Sequence, residues 1–125
     1  MDLSLGFLFI FDSSNKHFSP SRGANDTFIA AAAGVIAKRC ELQGYLTEAD
    51  AVEALGFNLL DNVEVGGKLT KMIHCINPKS GWVWDDKYGG KNHVPMVTIV
   101  RRTGDGEDEK ILLKFNCVDN FRQYL

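Results

Sequence analysis

Hydrophobic positions along this chain follow two regimes, recurring mostly at helical spacing between residues 26 and 55 and as short strand-like runs before and after that stretch. Residues 3–11 (LSLGFLFIF) are apolar at both odd and even positions, which predicts a strand covered on two faces, central in a sheet or beneath a helix. Residues 12–25 (DSSNKHFSPSRGAN) carry too few apolar positions for a packed element and read as a connecting loop. A helix is predicted from Asn25 or Asp26 through Gln43, with Phe28, Ala32, Val35, Ile36 and Cys40 on one stripe, Lys38 and Arg39 near its end and Gly44 beyond it. The small side chains from Ala30 to Gly34 predict a second backbone packed close against that face.

Thr47-Glu48-Ala49-Asp50 has the pattern of a capping box, in which a threonine oxygen accepts from the free N–H groups of a helix and acids suit its positive end. It predicts a helix over 48–55, stopped by Gly56. Strands are predicted at 69–76, 82–84, 94–101 and 111–118. In the last of these Ile111, Leu113, Phe115 and Cys117 alternate against Lys114 and Asn116, as on a half-buried strand. Thr103-Gly104-Asp105-Gly106 supplies the turn before it, and Pro95, which lacks a backbone donor, places the 94–101 strand at an edge. The expected fold is α+β, with helices 26–43 and 48–55 packed on a largely antiparallel sheet of four or five strands that includes the N-terminal strand. Residues 1–125 are expected to form a single domain.

Composition adds exclusions rather than a function. An apolar share of 45% with 24% charged residues is that of a folded domain, and a formal charge of −2 provides no overall field toward DNA or an anionic membrane. Cys40, Cys75 and Cys117 lie far apart with no CxxC pair, which fits reduced thiols in a cytoplasmic setting and neither a disulfide framework nor a zinc knuckle. The apolar run Leu5 to Phe11 lacks a basic flank and a small-residue cleavage site and is shorter than the roughly 18 residues of a spanning helix, so neither secretion nor membrane insertion is expected.

The segment Tyr45 to Gly56 resembles the opening helix of excisionase-like winged-helix proteins. A recognition helix rich in basic and polar side chains would follow in that family. Here residues 48–66 hold Glu48, Asp50, Glu53, Asp61 and Glu64 and no Lys or Arg, a face that would repel phosphates and argues against duplex DNA. A longer similarity takes in Ala33, Leu42-Gln43-Gly44-Tyr45-Leu46-Thr47, Leu55-Gly56 and Ile111-Leu112-Leu113-Lys114-Phe115-Asn116. Through these residues the chain resembles a group of small uncharacterised phage and prophage proteins, in which a helix leads into a GY(L/V)(S/T) step, a short helix ending in LG, and C-terminal strands. That resemblance implies a genomic setting and no particular activity.

The richest candidate for a site is residues 77–93 (NPKSGWVWDDKYGGKNH), where Trp82, Trp84 and Tyr88 are interleaved with Lys87, Lys91 and His93. Aromatic faces beside cations suit stacking on bases or contact with a protein, while the competing reading makes both tryptophans core anchors of a hairpin. Between Lys68 and Arg102 there are seven basic residues against Asp85 and Asp86, a local excess hidden by the slightly negative total. Metal or acid–base chemistry from Asp85, Asp86 and His93, or a thiol nucleophile from His74-Cys75, has weaker support. Neighbouring strand residues point to opposite faces, so His74 cannot readily activate Cys75. His17, Lys16 and Arg22 offer a further phosphate-holding loop without a recognised motif.

The sequence thus predicts a non-enzymatic phage or mobile-element accessory protein that binds and inhibits a host factor, without cofactor or metal. Its contact surface would be the acidic face Glu48, Asp50, Glu53, Asp61 and Glu64 or the aromatic segment. The alternatives are a protein that sequesters a nucleotide, with Arg101 joining the lysines at the phosphates, and a metal-dependent hydrolase or nuclease.

Overall fold

A computed structural model describes residues 7–76, 80–84 and 95–116, together with the backbone of a strand at 119–120. The elements are β1 (Leu8–Phe11), α1 (Ala24–Gln43), β2 (Tyr45–Thr47), α2 (Glu48–Ala54), β3 (Asn62–Val65), β4 (Lys68–Lys71), β5 (Ser80–Val83), β6 (Val97–Thr103), β7 (Lys110–Phe115) and β8 (Asp119–Asn120). Every strand pairing among the described residues is antiparallel. One sheet has five strands in the order β4-β3-β1-β7-β6, and a second has three in the order β2-β5-β8. The expected α+β class, with two helices and an antiparallel sheet containing the N-terminal strand, is observed.

Both helices end where local chemistry requires it. Gly44, at φ +85°, returns its N–H to the Cys40 carbonyl and closes α1 in the left-handed conformation that glycine adopts without a Cβ penalty. The Thr47 hydroxyl accepts from the Asp50 N–H at 3.1 Å and caps α2. Gly56, at φ +88°, follows α2, and a Cβ there would lie 2.5 Å from Asn15 Oδ1 and 2.6 Å from His17 Cδ2. Asn15 is held in place because its Nδ2 donates to the Leu55 carbonyl at 2.9 Å while its Oδ1 accepts the His17 N–H. Gly56→Ala is therefore expected to lower stability by about 2–4 kcal/mol, combining left-handed strain with overpacking against Asn15. Chemical denaturation of the variant would measure it, and a change below about 1 kcal/mol would show that the loop yields.

The buried face of α1 is Asn25, Ile29, Ala32, Ile36 and Cys40. The predicted stripe is offset from this, since Val35 is 55% exposed and Ile29 takes the inner place. Ala30, Ala31 and Gly34 face outward, and a Cβ on Gly34 would meet nothing within 4 Å, so no second backbone among the described residues packs there. Ala30 and Ala31 contribute helix propensity at the surface instead of close packing. The loop 12–25 also departs from expectation, because Phe18 packs on the core, His17 stacks on Phe28 at 4.4 Å, and Asn25 exchanges hydrogen bonds with the Ser19 backbone.

One core unites the inner face of the large sheet with both helices. It contains Phe7, Phe9 and Phe11 at β1, Val63 of β3, Ile111, Leu113 and Phe115 of β7, Ile29, Ile36 and Cys40 of α1, Val52 of α2, and Leu46 and Trp82 of the small sheet. The predicted strand 69–76 is only half a strand. After Lys71 the chain turns through a 3-10 segment, Met72–His74, in which Met72 is buried and its carbonyl accepts from the Cys75 and Ile76 N–H groups. Among the described residues strand β6 pairs with β7 alone and forms an edge, as Pro95 predicted.

Candidate functional site

Both helices pack with the inner face of the large sheet, and among the described residues its outer face carries no helix. Strand β1 lies at the centre of this sheet and β7 beside it, which accounts for their apolar side chains on two faces. Phe9, Val63 and Leu113 are register partners turned inward, so the alternating residues Leu8, Ile10 and Leu112 point outward. Leu112 is buried although it stands apart from the helix-side core. A register shift between Ile99 and Arg101 inserts an extra residue into β6, and a bulge of this kind bends a strand and raises its twist.

A groove of about 430 Å³ lies on this outer face, with Ile10, Leu112, Leu69 and Leu60 along it. Its charged lining is Asp12, Asp61 and Glu64 together with Lys71, Arg101 and Lys110. Arg101 of β6 reaches Glu64 of β3 at 3.0 Å, so this ion pair spans the two central strands. Asp61 accepts the Asn58 N–H at 2.9 Å, and Asp12 accepts both the backbone N–H and the hydroxyl of Ser14 at 3.0 and 2.6 Å. Among the described residues Lys71 and Lys110 have no ion-pair partner.

The expected acidic face does not form one surface. Glu48 is 2% exposed and belongs to the interior, while Glu64 is committed to Arg101 and shares its groove with lysines. Asp50 and Glu53 remain on α2, with Glu53 beside a separate hollow lined by Lys16, Val52, Phe57 and Leu59. The five charged residues near α1's start are likewise mixed. Arg102 meets Asp26 at 2.7 Å, and Arg22, Asp105 and Glu109 surround them. The hydrogen bond from Arg102 holds the Asp26 carboxyl below its usual range, and the same bond raises the guanidinium value further. With three carboxylates against two guanidinium groups, this corner does not select an anion.

Of the aromatic segment, Trp82 is a core residue. Its indole is fully buried, 5.1 Å from the Phe115 ring, and its Nε1–H donates to Asn116 Oδ1 at 2.9 Å. It cannot serve as a stacking platform, because cross-strand pairing of β5 with β2 sets Trp82 beside Leu46 on the inner side. Trp84 is half-buried against the same core, its N–H donating to the Gly44 carbonyl at 2.9 Å. Asp85, Asp86, Lys87, Tyr88, Lys91 and His93 lie outside the described residues. His74 and Cys75 occupy the 3-10 turn and its end instead of a strand, and Cys40 is buried.

Ile10, Leu69, Lys71, Lys110 and Leu112 were not singled out by the sequence. The unbroken apolar triplet Ile111-Leu112-Leu113 and the two-faced β1 run were the signals that the outer face has apolar residues. Among the described residues no group of three or more His, Cys, Asp or Glu side chains could hold a metal ion, and no helix is long and apolar enough to cross a membrane. No family model, curated protein or solved structure matches the chain.

Proposed function

We propose that this chain is a non-enzymatic binding protein whose contact surface is the outer face of the five-stranded sheet. The observation that carries the reading is the groove between Leu60, Leu69, Ile10 and Leu112, an apolar strip edged by charges of both signs. A desolvated apolar centre inside a polar, solvated rim is the anatomy of a protein–protein contact. The resemblance to small phage and prophage proteins points to a genomic setting only, and obstruction of a host factor is the role we propose within it.

Protein recognition is favoured over nucleotide sequestration for two reasons. One of the three candidate stacking rings, Trp82, is in the core. The groove's three acids balance its three cations, so a polyphosphate meets repulsion as well as attraction there. The test combines ligand screening with a face-specific variant. Nucleotides, cyclic dinucleotides included, are expected to leave Tm unchanged, because only a ligand that binds the folded state raises it. A host protein retained by the native chain is expected to be lost by Leu69→Glu, whose side chain is 65% exposed, and kept by Leu42→Glu on the outside of α1, 73% exposed. Nucleotide stabilisation, or equal loss through both variants, would sink the reading.

A further inference from the structure

Resting on that reading of the sheet face, we infer that the groove takes an acidic, leucine-bearing segment of a partner protein, with Lys71 and Lys110 meeting its carboxylates. The formal count in the groove is neutral, three acids against three cations, but the hydrogen-bonding capacity of the two signs differs. Asp12 is engaged by Ser14, Asp61 by the Asn58 backbone and Glu64 by Arg101. Each carboxylate therefore has a donor from its own chain. Lys71 and Lys110 have no ion-pair partner among the described residues, and both are exposed. The formal charge stays balanced, and the charged groups of the groove left without a hydrogen-bonding partner among the described residues are the two lysine ammonium groups.

The two lysines stand on different sides of the apolar strip, Lys71 on the edge strand β4 and Lys110 on β7, with β3 and β1 between them. A segment lying over Ile10 and Leu112 can set apolar side chains into the strip and place a carboxylate at each side. Its carboxylates can also compete for Arg101, since the Arg101–Glu64 pair is exposed on the arginine side and such pairs contribute only about 0–1 kcal/mol. A nucleic acid fits less well. Its closely spaced phosphates cannot avoid Asp12, Asp61 and Glu64, and the strip offers Ile and Leu where bases need aromatic platforms.

The experiment is a titration of the full-length, isotope-labelled chain followed by amide chemical shifts. Its probes are three short synthetic peptides with leucine at alternate positions and glutamate, glutamine or lysine between, and one single-stranded oligonucleotide. The glutamate peptide is expected to move resonances of Ile10, Lys71, Lys110 and Leu112, with an affinity that falls as salt is raised. In the variant Lys71→Glu with Lys110→Glu the affinity should drop at least about tenfold, combining loss of two rim attractions with two new repulsions. Lys71→Gln with Lys110→Gln should fall between, and both variants should retain the native amide pattern elsewhere. If the glutamine or lysine peptide moves those resonances and the glutamate peptide does not, the acidic-partner inference fails while the binding face stands. Movement by the oligonucleotide at the same residues, or unchanged affinity in the reversed variant, also overturns it. If no probe moves the outer face, the reading of that face as a binding surface falls with it.

Discussion

Trp82→Ala is expected to lower the unfolding free energy by about 3–5 kcal/mol, the range for truncating a large buried aromatic. Trp82 is 0% exposed and touches the Phe115 ring, so the substitution leaves a void between the small sheet and the end of β7 that neighbouring strands cannot close without breaking their ladders. The loss is comparable with the whole margin of a marginal domain, usually about 5–15 kcal/mol. Trp82→Phe separates volume from hydrogen bonding. It removes the Nε1–H donor, but Asn116 Oδ1 still accepts the Met96 N–H at 2.9 Å, so that acceptor is not orphaned and the cost should fall to about 1–3 kcal/mol. Denaturant midpoints at constant m-value measure both. A Trp82→Ala protein of native stability would show that the indole is not part of the core.

The second large effect is expected at Phe9. Its ring lies 5.0 Å from Phe7, 5.4 Å from Phe57 and 5.2 Å from Phe115, edge-on to the first and last. Edge-to-face pairs add about 0.5–1.5 kcal/mol each to area burial, so Phe9→Ala should cost about 3–5 kcal/mol, at the upper end of that range. Phe9→Leu keeps most of the buried volume and loses the ring geometry, and about 1–2 kcal/mol is expected. Phe9 also sets the register of the central strand against both Val63 and Leu113. A molten Phe9→Ala variant, with far-UV signal retained and near-UV signal lost, fits this role. Leu8, one residue away, faces outward, and Leu8→Ala should cost markedly less. Equal costs at positions 8 and 9 would contradict the assigned faces.

The contrast between neighbouring residues also explains which features were legible. Alternation in Ile111, Leu113 and Phe115 named the inner face of β7 correctly, and the two-faced apolar run placed β1 at the sheet's centre. Strands β2 and β3 escaped notice because three or four residues are too few to establish a period of two. The run 69–76 looks continuous, yet Met72 and Ile73 donate to the carbonyls of Asp61 and Leu59, and these long-range bonds turn the chain out of the strand. The acidic stretch 48–66 appeared as one face because charge was read along the chain. In space, α2 and β3 belong to different layers, so Glu48 is buried near the helices while Glu64 faces the opposite side with Arg101.

What the sequence determined by itself was therefore the α+β class and the two helices with their stops. Thr47, Gly44 and Gly56 act on backbone groups within four residues, where neighbouring side chains suffice. The tertiary structure alone decided that Trp82 is core and that Glu48 is interior. It also decided that residues as distant as Ile10, Leu69 and Leu112 share a groove with Lys71 and Lys110. The physical reason is strand order: β1 is paired with β3 on one side and β7 on the other, and no local interaction encodes which segments become its neighbours.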